Sequence, residues 1–386
     1  FHGGTPGMKT DTQCVHSGTY FDETTGGINT PIFTSSAYDY LGRSALPYPR
    51  YFNTVNQDAV VKKICALEKA VDGVVFSSGM AAMSASILAF AGAGDHVVLM
   101  DELYGGTHAF ATDTFARLGI AHTFAASSTE AIGAAVNDRT RVIVIESPTN
   151  PLLSVVDIAR IVDIARARGI ITIIDNTFAT PINQKPLNLG IDIVVHSGTK
   201  YLGGHSDLCC GVAVSSQPHA KKILHLARHL GGSLNAGDCY LLERSLKTLA
   251  LRVNQQTANA GRLAEFLAAN PMVRRVFYPG LKEAFGHAVA RKQMTGFGAM
   301  LSFELDAEQV STDAFLHHPD IVRPAVSLGG VETTICAPAV TSHAKMSPEE
   351  RQRVGVTNAL LRLSVGIEHI DDLFGDFDQA LKLSTA

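Results

Sequence analysis

Cysteine is sparse and unpaired in this chain. None of Cys14, Cys65, Cys209, Cys210, Cys239 and Cys336 makes a C-x-x-C pair, and Cys65 sits inside an apolar helical pattern. That pattern reads as reduced thiols in a cytoplasmic protein and excludes a disulfide-stapled scaffold. No apolar run reaches the ~20 residues that a membrane helix needs. No basic region followed by an apolar stretch opens the sequence, so no secretory leader is expected. Phe1 to Gly7 is Gly-rich, and Met8 is taken as the native start. The formal charge is only −4, and no basic stripe with interleaved aromatics is present, which argues against nucleic acid as a partner. A dinucleotide fingerprint is missing too: Gly92-Ala93-Gly94 lacks a third glycine and precedes a strand pattern. The histidines, His205 and His343 among them, show no ligand spacing, so no metal is expected.

What is present is a long globular pattern. The chain has 386 residues, 46% of them hydrophobic and 18% charged, enough for two or three packed units. Residues 8 to about 55 carry many Thr, Gly, Pro and Tyr with little periodicity, and read as an extended arm (1–55). Strand and helix patterns then alternate. Val74–Phe76, Val97–Met100, Arg141–Ile145, Ile170–Ile174, Ile191–Val195 and Gly211–Val214 read as strands. Helical spacing runs over Gln57–Val71, Ala81–Phe90, the segment after Thr107 and Val156–Ala167. Such alternation predicts an α/β fold with a mainly parallel sheet covered on both faces (56–235). One long helical stretch from Ala236 to about Asn270 opens a smaller C-terminal α/β unit (236–386), with strands at Arg274–Phe277, Ala299–Leu305 and Leu360–Val365. Ser347-Pro348-Glu349-Glu350 has the cap, proline and acids of a helix start.

The chemistry concentrates in His196-Ser197-Gly198-Thr199-Lys200-Tyr201, just past an apolar strand. Lysine in a dry pocket loses part of its charge and becomes a nucleophile, as a Schiff base requires. Asp175 ends the preceding strand, 25 residues upstream of Lys200. In open α/β sheets that position points into the ligand crevice. Pyridoxal 5'-phosphate needs this pair: a lysine for the imine and a carboxylate that keeps the pyridine nitrogen protonated. Ser77-Ser78-Gly79-Met80 links a strand to a helix, the arrangement in which backbone amides hold a phosphate. Gly79 and Met80 are therefore phosphate candidates, and the Ser197 and Thr199 hydroxyls are two more. Arg362 lies in an apolar strand, where an arginine is costly unless it meets an anion.

Taken together, these stretches resemble the Cys/Met-metabolism family of pyridoxal-phosphate enzymes. The resemblance rests on Ser77–Met80, Asp101-Glu102-Leu103-Tyr104-Gly105-Gly106-Thr107, Glu146-Ser147-Pro148-Thr149-Asn150-Pro151, Asp175-Asn176-Thr177, Ser197 to Asp207, Ser327-Leu328-Gly329-Gly330-Val331-Glu332 and Arg362-Leu363-Ser364-Val365-Gly366, in the family's order. It implies the aspartate-aminotransferase-type fold and a homotetramer built as a dimer of dimers, with active sites shared across each dimer. It implies that Lys200 carries the imine and shuttles protons, that Asp175 and Thr177 serve the cofactor, and that Tyr104 stacks on the ring and can act as acid or base. Asn150 then lies beside the cofactor's 3'-oxygen, Arg362 clamps the substrate α-carboxylate, and Ser327 lines the substrate site. Tyr48 and Arg50, a Tyr-x-Arg on the arm, reach the phosphate of a neighbouring subunit. The sequence departs from the family just after Arg50, where the usual Gly-Asn-Pro-Thr is absent.

The resemblance also frames the substrate, an amino acid with sulfur or an acyl-oxygen at its γ-carbon. Cystathionine γ-enzymes typically carry a glutamate where Val326 stands and an arginine where Ala109 stands. Both positions are uncharged, which favours γ-elimination of methionine or homocysteine to 2-oxobutanoate, ammonia and a thiol. Against that, Gly106 replaces the cysteine of methionine γ-lyases. The alternatives are a cystathionine γ-lyase or γ-synthase, or an O-acylhomoserine sulfhydrylase working by γ-replacement.

Overall fold

A computed structural model of the chain describes residues 7–342, 344 and 347–385. Phe1 to Pro6 and His343 lie outside the described residues, so the expectations on them are not addressed. The arm carries one short helix, α1 (Thr10–His16), then runs extended past the Asp22–Gly27 bridge to a 3-10 turn at Pro49–Tyr51. Helix α2 (Val55–Glu68) begins where the Gln57 side chain accepts the Thr54 N–H at 3.1 Å, one half of a capping box.

The large sheet is built from β1 (Asp72–Phe76), β2 (His96–Met100), β3 (Ala121–Ala125), β4 (Thr140–Glu146), β5 (Ile171–Asp175), β6 (Ile193–Ser197) and β7 (Gly211–Ser215). Their order is β1-β7-β6-β5-β4-β2-β3, parallel except for β7, which runs against both β1 and β6. Val142 to Ile145, Ile173, Ile174 and Ile193 to Val195 are almost entirely buried, as expected of strands covered on both faces. Between β1 and β2 lies α3 (Gly79–Leu88), whose Ser78 cap accepts from the Ala81 N–H at 3.0 Å. After β2 comes α4 (Gly105–Thr114).

The helical stretch after Asn235 is two helices, Ala236–Leu246 and Leu249–Ala268, broken at Lys247-Thr248. The strand pattern around Ile191 also begins later than expected, at Ile193, because the Asp192 N–H donates to the Thr172 hydroxyl at 3.0 Å instead of joining the ladder. The smaller sheet comprises β8 (Val273–Phe277), β9 (Met300–Leu305), β10 (Arg323–Pro324), β11 (Thr334–Cys336) and β12 (Leu360–Ser364), in the order β10-β11-β12-β9-β8. Only the β10–β11 pair is parallel. Arg362 sits on the central strand, opposite Ser302 and Cys336. The Ser302 hydroxyl donates to the Pro151 carbonyl at 2.7 Å and so ties this sheet to the loop after β4. All six cysteines are free. No helix among the described residues is long and apolar enough to cross a membrane.

Candidate active site

The carboxyl ends of β4, β5 and β6 lie side by side, with Glu146 opposite Asp175 and Asp175 opposite Val195. Parallel register thus delivers Glu146, Asp175 and Ser197 to one rim, the ligand-binding edge of such a sheet. Thr177 links two of them. Its hydroxyl donates to Asp175 Oδ1 at 2.5 Å and accepts the Ser197 N–H at 2.8 Å. Burial pushes the Asp175 carboxyl up, while the Thr177 hydrogen bonds and the charges of His196 and Lys200 pull it down.

Beyond Ser197 the chain turns sharply, with the Lys200 N–H donating to the Ser197 carbonyl at 3.2 Å. Burial, and then the Arg362 guanidinium, lower the Lys200 pKa, which is the direction a nucleophilic amine needs. Lys200 Nζ donates to Ser327 Oγ at 2.6 Å. Ser327 holds a left-handed backbone at φ 74°, a strain tolerated mostly at functional sites. Behind it, Gly329 comes so close that a Cβ there would lie 2.7 Å from the Tyr201 nitrogen and 3.0 Å from the Lys200 carbonyl carbon. Arg362 is buried and donates to Asn150 Oδ1 at 3.0 Å and to the Ser327 carbonyl at 3.2 Å. Lys200, Ser327, Arg362 and Asn150 therefore form one connected group from two sheets.

The first turn of α3 packs against the other side of Ser197. A Cβ on Gly79 would lie 2.8 Å from Ser197 Cβ, and one on Gly211 would lie 2.1 Å from the Ser78 carbonyl oxygen. Only glycines let these backbones approach, which leaves the amides of Gly79 and Met80 beside the Ser197 hydroxyl. Met80 also meets the first turn of α4, where Thr107 Oγ1 stands 3.8 Å from its sulfur. Tyr104 is half-exposed, and its N–H donates to Glu146 Oε2 at 2.8 Å. Thr199 is turned partly away: its hydroxyl donates to the Cys210 carbonyl at 3.2 Å. Tyr48 and Arg50 stand apart from this group within their own chain. The Arg50 guanidinium lies 5.6 Å from the Tyr48 ring centre and 5.1 Å from that of Tyr51, and donates to the Arg228 carbonyl at 2.8 Å.

Two contributors escaped sequence reasoning. Glu146 lay inside a quoted motif without a role; here burial, reinforced by Asp175, pushes its carboxyl well above the usual range. Arg252 is buried and donates to the carbonyls of Tyr201 at 2.8 Å and Ser245 at 2.9 Å, bracing the loop after Lys200. No local pattern marks that arginine, since the loop it braces lies 51 residues away in sequence at Tyr201.

The donor set fits pyridoxal phosphate: a half-buried lysine of lowered pKa, a buried carboxylate at a strand end, and a glycine-lined cradle at a helix start beside a serine. Comparison with known proteins bears this out. A family model described as Cys/Met metabolism PLP-dependent enzyme matches residues 11–382, and the chain belongs to that family. It is a PLP-dependent carbon–sulfur lyase. It is 42% identical over 379 residues to a cystathionine gamma-lyase of Bacillus subtilis (strain 168), covering 97% of this chain and 100% of that one. A cystathionine beta-lyase of Lactococcus lactis subsp. cremoris (strain MG1363) is 42% identical over 375 residues, with 96% and 98% covered. Among solved structures, a cystathionine gamma-lyase from Lactobacillus plantarum, complexed with L-serine, superposes with a TM-score of 0.94 at 37% identity, covering 98% and 100% of the two chains.

Proposed function

We propose that this chain cleaves the carbon–sulfur bond of cystathionine on the γ side, giving cysteine, 2-oxobutanoate and ammonia. The likeness to cystathionine lyases, 42% over nearly the full length, carries this reading. It replaces the methionine or homocysteine expectation. That expectation treated Val326 as an apolar wall, but Val326 is 71% exposed. The cavity of about 260 Å³ beside it is shared with Thr199, Ser206, Thr334 and Glu332. Leu208, Ala325 and Leu328 complete its lining, so polar partners for a charged distal end stand beside apolar surface.

Bound pyridoxal phosphate supplies the electron sink for this chemistry. Lys200 would hold it, and its amine would carry the proton of the substrate Cα. Asp175 keeps the pyridine nitrogen protonated, and Thr177 orients Asp175. The Gly79 and Met80 amides with the Ser197 and Thr199 hydroxyls receive the phosphate. Tyr104 and Asn150 would hold the ring of the cofactor, Arg362 would bind the substrate α-carboxylate, and Ser327 orients Lys200. Tyr48 and Arg50 complete the phosphate site of a partner in a homotetramer in the cytoplasm. The arm (1–55), large domain (56–235) and C-terminal domain (236–386) divide the work, since β1–β7 precede residue 236 and β8–β12 follow it. The test is a panel of cystathionine, methionine, homocysteine and O-acylhomoserine with identification of the 2-oxo acid. Cystathionine should give the highest kcat/KM and 2-oxobutanoate. Pyruvate as main product would mean β-cleavage, and a methionine preference above tenfold would restore the earlier reading.

A further inference from the structure

A carboxylate and an imidazole with no exposed surface lie directly behind the strand ends of the site. Glu68, the last residue of α2, meets His196 of β6, with Oε1 and Nε2 2.6 Å apart. Asn176, next to Asp175, donates to the same Glu68 oxygen at 3.0 Å and to the Gln184 carbonyl at 3.1 Å. Gln184 donates to Asn176 Oδ1 and to the Ser147 carbonyl, each at 2.9 Å. Asn176 N–H in turn donates to the Val195 carbonyl at 2.9 Å. The network therefore touches the residues adjoining Glu146, Asp175 and Ser197, one on each of the three strands. Glu68 Oε2 and His196 Nδ1 have no hydrogen-bond partner among the described residues.

Packing alone does not call for such a group. A buried ion pair costs desolvation, and apolar residues of like volume often hold a core as well or better. A polar group kept here has a target within reach: Asn176 and His196 adjoin Asp175 and Ser197 in the chain, and His196 acts on Asp175 in the direction that favours its ionised form. Lys185 donates to the Leu67 carbonyl and interacts electrostatically with Glu68, and Lys69 follows Glu68 in the chain. We propose that Glu68 and His196, with Asn176 and Gln184, form a buried positioning unit that fixes the strand ends carrying Asp175 and Ser197 and sets how tightly the cofactor ring is held. The unit rests on the assignment of Asp175 and Ser197 to pyridoxal phosphate.

The experiment compares wild type, Glu68→Gln, His196→Gln and Asp175→Asn. It measures the Kd for pyridoxal phosphate by dialysis, the pH midpoint of the bound cofactor's visible band, and the Tm of the cofactor-free protein. Glu68→Gln and His196→Gln should each weaken binding at least about tenfold and move the midpoint by about half a unit or more, in the same sense as Asp175→Asn. A lowered Tm with Kd and midpoint at wild-type values would make the pair a packing device and overturn the proposal. Should Glu68→Gln fail to fold, His196→Gln decides alone, because its amide still donates to Glu68. Unaltered binding in Asp175→Asn overturns the reading of the site instead. Weakened binding there beside unaltered binding in the other two variants overturns only the network's role.

Discussion

At the scale of single residues, Lys200 and Arg362 divide the electrostatics. Burial makes a cation costly, and two cations placed near each other repel, which adds to the cost. The Lys200 pKa falls accordingly, and Arg362 stays anchored through Asn150 and the Ser327 carbonyl until an anion arrives. Lys200→Ala should lower turnover by more than about 10²-fold, the loss expected from removing a positioned proton carrier alone. Its fold should survive, which circular dichroism can check; turnover above a hundredth of wild type would sink the lysine's role. Lys200, Asp175 and Arg362 were legible in the sequence because each is a charged residue in or beside an apolar strand, where charge needs a reason. Glu146 was not, since only the register of β4 against β5 reveals that it faces Asp175. The methionine preference drawn from Val326 loses ground to the cystathionine reading for a similar reason: a residue's type does not tell how far it is exposed, and Val326 is 71% exposed.

Elements decide how far these residues can move. The inner parallel strands were readable from apolar runs, because both their faces are buried; β3, a half-buried edge strand without such a run, was not. The reversed direction of β7 was not, since a run such as Gly211–Val214 looks the same in either direction. That reversal places Gly211 against Ser78 and Gly79 at the start of α3. Gly211→Ala should therefore cost about 1–3 kcal/mol of stability, as overpacking does. It should also weaken pyridoxal-phosphate binding more than a core substitution of equal cost, which parallel melting and dialysis experiments would show. A second element-level contact is the seat of α1. Lys63 on α2 is fully buried and donates to the carbonyls of Cys14 and Val15 at 3.0 and 3.3 Å and to Thr19 Oγ1 at 3.3 Å. Burial, partly offset by Glu243, lowers its pKa from 10.5 to about 8. From about pH 8 to about pH 10.5 the unfolded chain then binds more protons than the native one, so this lysine makes stability rise with pH across that window. The rise is at most about 3 kcal/mol, and below pH 8 both states are protonated and the lysine adds no slope. Lys63→Met should flatten this part of the difference in denaturant stability between pH 8 and 10. It should also make α1 more sensitive to proteolysis. A difference between the two proteins that does not change with pH would refute the assignment.

The whole molecule presents a surface that one copy of the chain does not account for. Ile28, Leu41 and Tyr40 on the arm are 86%, 70% and 68% exposed, an apolar display that usually awaits a partner. Arg50 belongs to the same arm. It is exposed, flanked by Tyr48 and Tyr51, and held by the Arg228 carbonyl instead of the Gly79–Ser197 cradle. A planar guanidinium is well shaped for phosphate oxygens, yet no hydrogen bond among the described residues joins it to that cradle. The arrangement fits an arm that lies on a second copy and lends Arg50 to its phosphate. Arg50→Ala should then weaken cofactor binding and lower the oligomeric state together, as measured by dialysis and sedimentation. Mixing Arg50→Ala with Lys200→Ala, each inactive alone, gives a sharper test. A mixed dimer holds one site with both substitutions and one with neither, so random exchange should restore activity toward about a quarter of wild type. That quarter follows from pairwise sharing of independent sites. Recovery should follow the rate of subunit exchange, measured separately with labelled chains. If exchange is complete and activity stays at the level of the single variants, Arg50 serves its own chain. The exposed arm would then need an explanation other than a shared site.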